Sequence, residues 1–341
     1  MAVIEVDNIV KEYMVVKKEG GLRGAVKGLL FPERRKVRGV DGISFKIEPG
    51  EIVGYIGPNG AGKSTTIKML TGILHPTSGS IRVCGISPQE DRKAVVGKLG
   101  VVFGQRTQLY WDLRLAESFE LLRRIYQVDE STYRETMATL ERVLKLGEFM
   151  DTPVRQLSLG QRMRGDLAAA MLHSPSVLFL DEPTIGLDAE AKHAIRDFIK
   201  QMNRERGLTV ILTTHDLDDV EQLCSRLVIV NHGKVVEDGP IGTLIGKLTP
   251  KRQLVVELER PCADIAHPAA EVLKQEGLKI WYQFEKQRIT AAELIADLSR
   301  KLPIQDLSVK EPDIEDAIRE VYKAKPEEAG VVEATEPVAA V

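Results

Sequence analysis

The sequence predicts an α/β fold built on a parallel sheet, followed by a smaller α+β domain. Three observations carry the prediction. Short apolar runs, GEIVGYIG at 50–57 and VLFLD at 177–181, are continuous rather than alternating, the mark of strands covered on both faces. Such runs take turns with stretches of helical periodicity, notably 115–146, and strands alternating with helices make parallel sheets. From Lys251 the texture resets. RQLVVELE reads as a strand, PAAEVLKQEG as a helix, LKIWYQFEKQRIT as strand, AAELIADLSRKL as a helix, QDLSVKE as a strand and DIEDAIREVY as a helix. That order predicts a split βαβ arrangement over 251–325.

The remaining elements follow in chain order. VIEVDNIVKEY shows broken alternation and reads as a strand, and ISFKIEPG is another, closed by a turn at Pro49-Gly50. Between them, residues 17–38 carry eight basic side chains against two acidic ones. Leu22, Val26, Leu29 and Leu30 fall at i, i+4, i+7 and i+8, one face of a helix. A basic amphipathic helix there suits an anionic membrane surface or a partner's groove, or else packs on the body of the protein. TVILTTHD at 209–216 and RLVIVNHGKVVEDG at 226–239 complete the strands of the larger domain. The tail at 326–341 has four Glu, no base and no aromatic, a composition expected to be disordered.

Composition narrows the function. A length of 341 residues fits two domains, placed at 1–246 and 251–325. The 47 basic and 50 acidic residues argue against nucleic acid as the main partner, because phosphate backbones select a basic footprint. Cys84, Cys224 and Cys262 are scattered and form no CxxC pair, so neither a disulfide framework nor a zinc site is expected. No stretch reaches the roughly 18–20 apolar residues of a membrane span, and the start lacks the pattern of a signal peptide.

The chemistry is concentrated in two places. Gly57, Pro58, Asn59, Gly60, Ala61, Gly62, Lys63 and Ser64 form a complete G-x-x-x-x-G-K-[ST], followed by Thr65. The motif sits after a buried strand and before a helix, where backbone N–H groups and the helix N-terminus can cradle phosphates. Chance alone gives the pattern on the order of once in a hundred such chains, and the strand–loop–helix context lowers that further. Lys63 is expected to reach β- and γ-phosphates and Ser64 to place its hydroxyl on Mg²⁺. Asp181 and Glu182 end the second buried run, and two carboxylates at such a strand end are costly without work nearby. Asp181 is expected to hold Mg²⁺, and Glu182 to polarise an attacking water as general base.

The sequence LSLGQ at 157–161, upstream of VLFLDEPT, resembles the signature of the ABC ATPases. Further elements are similar to that family in order. Gln105 in VVFGQ resembles its Q-loop glutamine, Gly186-Leu187-Asp188 its D-loop, His215 in TTHD its switch histidine and Tyr13 its adenine-stacking aromatic. Read singly, Tyr13 is a core residue, Gln105 a solvated loop end and His215 a structural histidine or a helix cap; their shared order favours the functional roles of Gln105 and His215 and leaves both readings of Tyr13 open, since the insertion that follows it can shift the adenine contact. The resemblance covers residues 1 to about 240. It implies a P-loop NTPase sheet core with an antiparallel β subdomain and a helical signature subdomain at about 104–165. It implies an ATPase that uses ATP and Mg²⁺, with Gln105 contacting the metal and His215 the γ-phosphate. Ser158, Leu159, Gly160, Gln161 and Asp188 would complete the site of a second ATPase, either another copy or a homologue. The remaining partners would be separate integral-membrane permease subunits, which places the chain peripherally on the cytoplasmic face. Two residues depart from the pattern: Leu159 stands where glycine is usual, and Ile185 where a small or polar residue is common. The stretch SVKEPDIEDAIREVY resembles drug-efflux exporter ATPases, and GQRTQLYWDL with the basic insertion a viologen- and multidrug-exporter-like branch. Alternatives are an importer ATPase, or a soluble ABC protein in nucleic-acid or ribosome work.

Overall fold

The computed structural model describes residues 1–16, 34–104, 106–248, 251–285, 287–310, 315, 318, 321 and 322. The amphipathic stretch at 22–30, Gln105 and the tail at 326–341 lie outside the described residues. The described chain divides into two compact units at Gly239/Pro240.

The first unit contains two sheets. Strands β1 (Ile4–Val16), β2 (Arg34–Ile47) and β4 (Ser78–Val83) form an antiparallel sheet in the order β2-β1-β4. A six-stranded sheet runs β5-β6-β7-β3-β8-β9. Its strands are β3 (Ile52–Ile56), β5 (Leu99–Phe103), β6 (Val177–Asp181), β7 (Thr209–Thr213), β8 (Arg226–Asn231) and β9 (Lys234–Pro240). The five strands from β5 to β8 are mutually parallel. The pentapeptide runs of β3 and β7 are buried at every position, which is why their sequence is unbroken by polar residues. β8 and β9 are joined by His232-Gly233, both at positive φ, as a two-residue hairpin turn demands.

The helices are α1 (Lys63–Leu70), α2 (Arg92–Val96), α3 (Leu115–Ile125), α4 (Glu130–Leu144), α5 (Leu159–Met171), α6 (Ala189–Arg206) and α7 (Leu217–Leu223). Polar side chains fix where the last three begin. The Ser158 hydroxyl accepts from the Gln161 N–H while the Gln161 side chain accepts from the Ser158 N–H, a reciprocal capping box. Asp188 caps α6 by accepting from Ala191 N–H at 2.8 Å, and Asp216 caps α7. Ile4, Val53, Ile67, Met69, Phe179, Ile211 and Val228 belong to one buried cluster that ties the two sheets and α1 together.

The second unit holds α8 (Ile241–Leu248), β10 (Lys251–Leu258), β11 (Ala270–Glu276), β12 (Lys279–Glu285), α9 (Ala291–Lys301) and β13 (Ile304–Lys310). The sheet is antiparallel throughout, in the order β11-β12-β10-β13. This corrects the sequence reading of 268–277 as a helix, and with it the split βαβ order. The spacing of Ala269, Val272 and Leu273 imitates a helical face. Gly277 at φ +60° instead turns the chain into a hairpin, and Val272 pairs with Tyr282 of β12. Leu254, Val256, Ile280, Tyr282 and Phe284 then bury against Leu294 and Leu298 of α9. Of the expected helix at 313–322, the described residues 315, 318, 321 and 322 are helical.

α5 carries a buried acid that yields a test. Asp166 is 4% exposed, and its Oδ1 accepts from the Thr107 hydroxyl at 2.8 Å and from the Gln108 N–H at 3.0 Å. Burial nonetheless raises its pKa to about 6. A folded pKa above the unfolded one favours the native state fully below about pH 4, and that contribution is lost as pH rises through 6. Asp166→Asn keeps an acceptor oxygen and removes the titration. Between pH 4 and pH 7 the variant should gain about 2–3 kcal/mol relative to wild type, read from denaturant midpoints. Curves that stay parallel over that range would show that Asp166 is not carrying an abnormal proton.

Candidate active site

The glycine-rich loop 57–62 leaves the end of β3, in the middle of the parallel sheet, and enters α1. The open carboxyl edge of such a sheet is where ligands settle. A β-carbon at Gly57 would lie 2.2 Å from the Val230 carbonyl oxygen, so the loop can hug β8 only as glycine. Lys63 begins α1 and folds back across the loop. Its Nζ donates to the carbonyls of Gly57 at 2.6 Å and Pro58 at 3.1 Å. Burial lowers the Lys63 pKa, and the nearby Glu182 and Asp181 oppose the shift. A cation held this way, with both partners neutral, is arranged to take a negative ligand. Ser64 is exposed beside it.

The carboxylates arrive from β6. The strand order places β7 between β6 and β3. β7 contributes to the cluster itself. Its last residue, Thr213, donates its hydroxyl to Asp181 Oδ1. Two residues on, the His215 N–H donates to Glu182 Oε2 at 3.3 Å, and His215 Nε2 lies 3.4 Å from Glu182 Oε1. Glu182 adopts φ +56°, a conformation rare outside glycine that concentrates at functional sites. Its pKa is raised, chiefly by burial, with His215 opposing. Lys63, Asp181, Glu182 and His215 thus form one electrostatic cluster at the carboxyl edge.

Tyr13 lies at the rim, 36% exposed, with its hydroxyl 3.4 Å from Thr65 Oγ1. It is not the core residue that a lone tyrosine on a strand would suggest. Ser158, Leu159, Gly160, Gln161 and Asp188 are gathered elsewhere, at the N-termini of α5 and α6. There Leu159 bears on residue 186: a β-carbon on Gly186, itself at φ +72°, would lie 3.1 Å from Leu159 Cδ2, so that position is held to glycine. Ile185 is 44% exposed beside it. Gln105 lies outside the described residues.

Several site residues escaped the sequence reading. Thr213 was visible within TTHD but was read only as strand. Thr184 donates its hydroxyl to Asp219 Oδ2, and Arg196 Nε donates to Asp219 Oδ1 at 2.6 Å. Asp219 is fully buried and Arg196 nearly so, and no short motif announces pairs 23 and 35 residues apart.

Residues 40–185 match the family profile described as ABC transporter. The chain is 39% identical over 206 residues to the Nod factor export ATP-binding protein I of Burkholderia pseudomallei (strain 1710b), covering 60% of this chain and 67% of that one. It is 32% identical over 215 residues to the ABC transporter ATP-binding protein NatA of Bacillus subtilis (strain 168), covering 63% and 87%. Among solved structures, the dimeric post-hydrolysis state of the ATP-binding cassette MJ0796 bound to ADP and Pi aligns with a TM-score of 0.57 at 25% identity, over 70% of this chain and 98% of that one.

Proposed function

This chain belongs to the ATP-binding proteins of ABC transporters, and on that premise we propose that it hydrolyses ATP to drive export through separate membrane subunits. The observation that carries the proposal is the cluster of Lys63, Asp181, Glu182 and His215 beside the glycine loop. Lys63 would take the β- and γ-phosphates in place of its two carbonyl partners, and Tyr13 the adenine. Glu182 would accept a proton from water as that water attacks the γ-phosphorus, and ADP would leave. His215 would hold the Glu182 carboxylate and touch the γ-phosphate. The exposed Ser64 hydroxyl and the Asp181 carboxylate are hard oxygen donors of the kind Mg²⁺ selects, and Gln105 would join them. Among the described residues no group of three His, Cys, Asp or Glu side chains could cage a metal. The bound ion would supply charge neutralisation at the phosphates.

The residues at the N-termini of α5 and α6 would complete the site of a second ATPase, so a homodimer is the simplest active form. Export is favoured by the Nod factor export relative, and the drug- and viologen-exporter likeness of GQRTQLYWDL and SVKEPDIEDAIREVY points the same way. Residues 1–246 would be the ATPase domain and 251–325 an accessory domain that steadies the dimer or regulates it. With no described helix long and apolar enough to cross a membrane, the pore would come from the partner subunits and the chain would sit peripherally on their cytoplasmic side.

Phosphate release by the purified full chain should rise faster than linearly with protein concentration. Ser158→Arg should cut turnover at least about tenfold while leaving nucleotide affinity within about twofold, because the cation obstructs the other copy's phosphates. Linear dependence on concentration, together with an unaffected Ser158→Arg, would mean that one chain holds the complete site.

A further inference from the structure

Helix α6 begins at Asp188, and the residues one and two turns on, Lys192 and Arg196, fall on the same face. Both reach the segment that carries His215. Lys192 Nζ pairs with Asp216 Oδ2, and Arg196 Nη2 lies 3.8 Å from Asp216 Oδ1. Arg196 Nη2 also meets Asp219 Oδ1 at 2.5 Å, while Thr184 closes the other oxygen of Asp219. Asp216 in turn accepts from the N–H groups of Asp218 and Asp219 at the start of α7, and its own N–H donates to the Thr214 hydroxyl at 3.0 Å. His215 is thus the residue between a β-strand end and a side chain clamped from α6. Its own side chain is 53% exposed, and what holds its backbone is this clamp together with the 3.3 Å bond to Glu182.

We propose that Lys192 is a positioning residue for hydrolysis: through Asp216 it fixes His215 against Glu182. The proposal rests on the reading of His215 as the residue that works beside the general base. The two ion pairs divide the labour by burial. Arg196–Asp219 is almost fully enclosed, and breaking it would disturb the fold along with the site. Lys192–Asp216 is about three-quarters covered but reaches solvent, so it can be cut with little structural damage. Because α6 starts at Asp188, next to the contact of Leu159 with Gly186, the same helix connects the α5 and α6 N-termini to the catalytic carboxylate of its own chain.

The experiment compares Lys192→Met, Lys192→Arg, His215→Ala and the double variant Lys192→Met/His215→Ala in the full-length protein. Lys192→Met is expected to lower kcat about tenfold, with KM for ATP and the affinity for a fluorescent nucleotide within about twofold of wild type. Lys192→Arg, which keeps the ion pair, should restore kcat to within about twofold. In the His215→Ala background Lys192→Met should cost nothing further, because the residue it positions is gone. Wild-type kcat in Lys192→Met, or losses that multiply in the double variant, would overturn the proposal. If His215→Ala alone keeps wild-type turnover, the underlying reading of His215 fails instead.

Discussion

Glu182→Gln is expected to slow phosphate release at least about a hundredfold while leaving ATP affinity within about twofold. The glutamine is isosteric, and its amide oxygen can still accept the N–H of His215 that Glu182 Oε2 accepts at 3.3 Å. What it cannot do is take a proton from water. The environment of Glu182 suits a base: burial raises its pKa, His215 restrains the rise, and Lys63 keeps positive charge within reach. A raised pKa has a defined consequence for rate. The base works only when ionised, so kcat/KM should climb with pH through a range above that of an ordinary glutamate. That acid limb should be absent from the residual activity of Glu182→Gln. Binding without turnover should also hold two ATP-loaded chains together, seen as an ATP-dependent dimer in size-exclusion chromatography. Glu182→Gln at wild-type turnover would remove Glu182 from the chemistry.

Strands were legible in the sequence where burial leaves a composition that admits no other reading. IVGYI and VLFLD are short, apolar and bounded by glycine or acid, so the sequence alone assigns both to a parallel sheet. β11 was misread because AEVLKQE has the same apolar spacing on a helix and on a twisted edge strand. Pairing with the core strand β12 decides between them, and pairing is not a local property. The site divides similarly. Residues within one loop, such as Gly57 to Ser64, or at one strand end, such as Asp181 and Glu182, are neighbours by covalent connection and announce themselves. Thr213 against Asp181 and Lys192 against Asp216 become neighbours only once β7 is inserted beside β6 and α6 is laid near α7. The motif resemblance gives Ser158 and Asp188 a role toward a second ATPase. The structure adds that each caps its own helix, so substitution there disturbs a helix start as well as any partner contact.

Lys63→Ala is expected to abolish useful nucleotide binding, weakening it at least about a hundredfold, or roughly 2.7 kcal/mol. The reason lies in how the lysine is held before any ligand arrives. Its side chain is almost fully enclosed, burial pulls its pKa down, and its hydrogen-bond partners are two neutral carbonyls of the loop it spans. Carboxylates of Glu182 and Asp181 stabilise the charge through space, without a hydrogen bond to it. A triphosphate supplies full counter-charges in a partly desolvated place, where a charge-assisted bond is stronger than in water. Alanine removes that cation and leaves the backbone N–H groups of the loop alone to face the phosphates. It also leaves Asp181 and Glu182 closer to uncompensated, which repels an anionic ligand further. The fold itself should survive, because relief of the buried charge offsets the two loop carbonyls left without the Lys63 donor, so melting temperature and circular dichroism should stay near wild type. The variant thereby separates from Glu182→Gln: one fails to bind, the other binds and fails to turn over. Equilibrium titration with a fluorescent ATP analogue reads the difference, and an affinity loss below about tenfold in a well-folded Lys63→Ala protein would show that the phosphates are held by other groups.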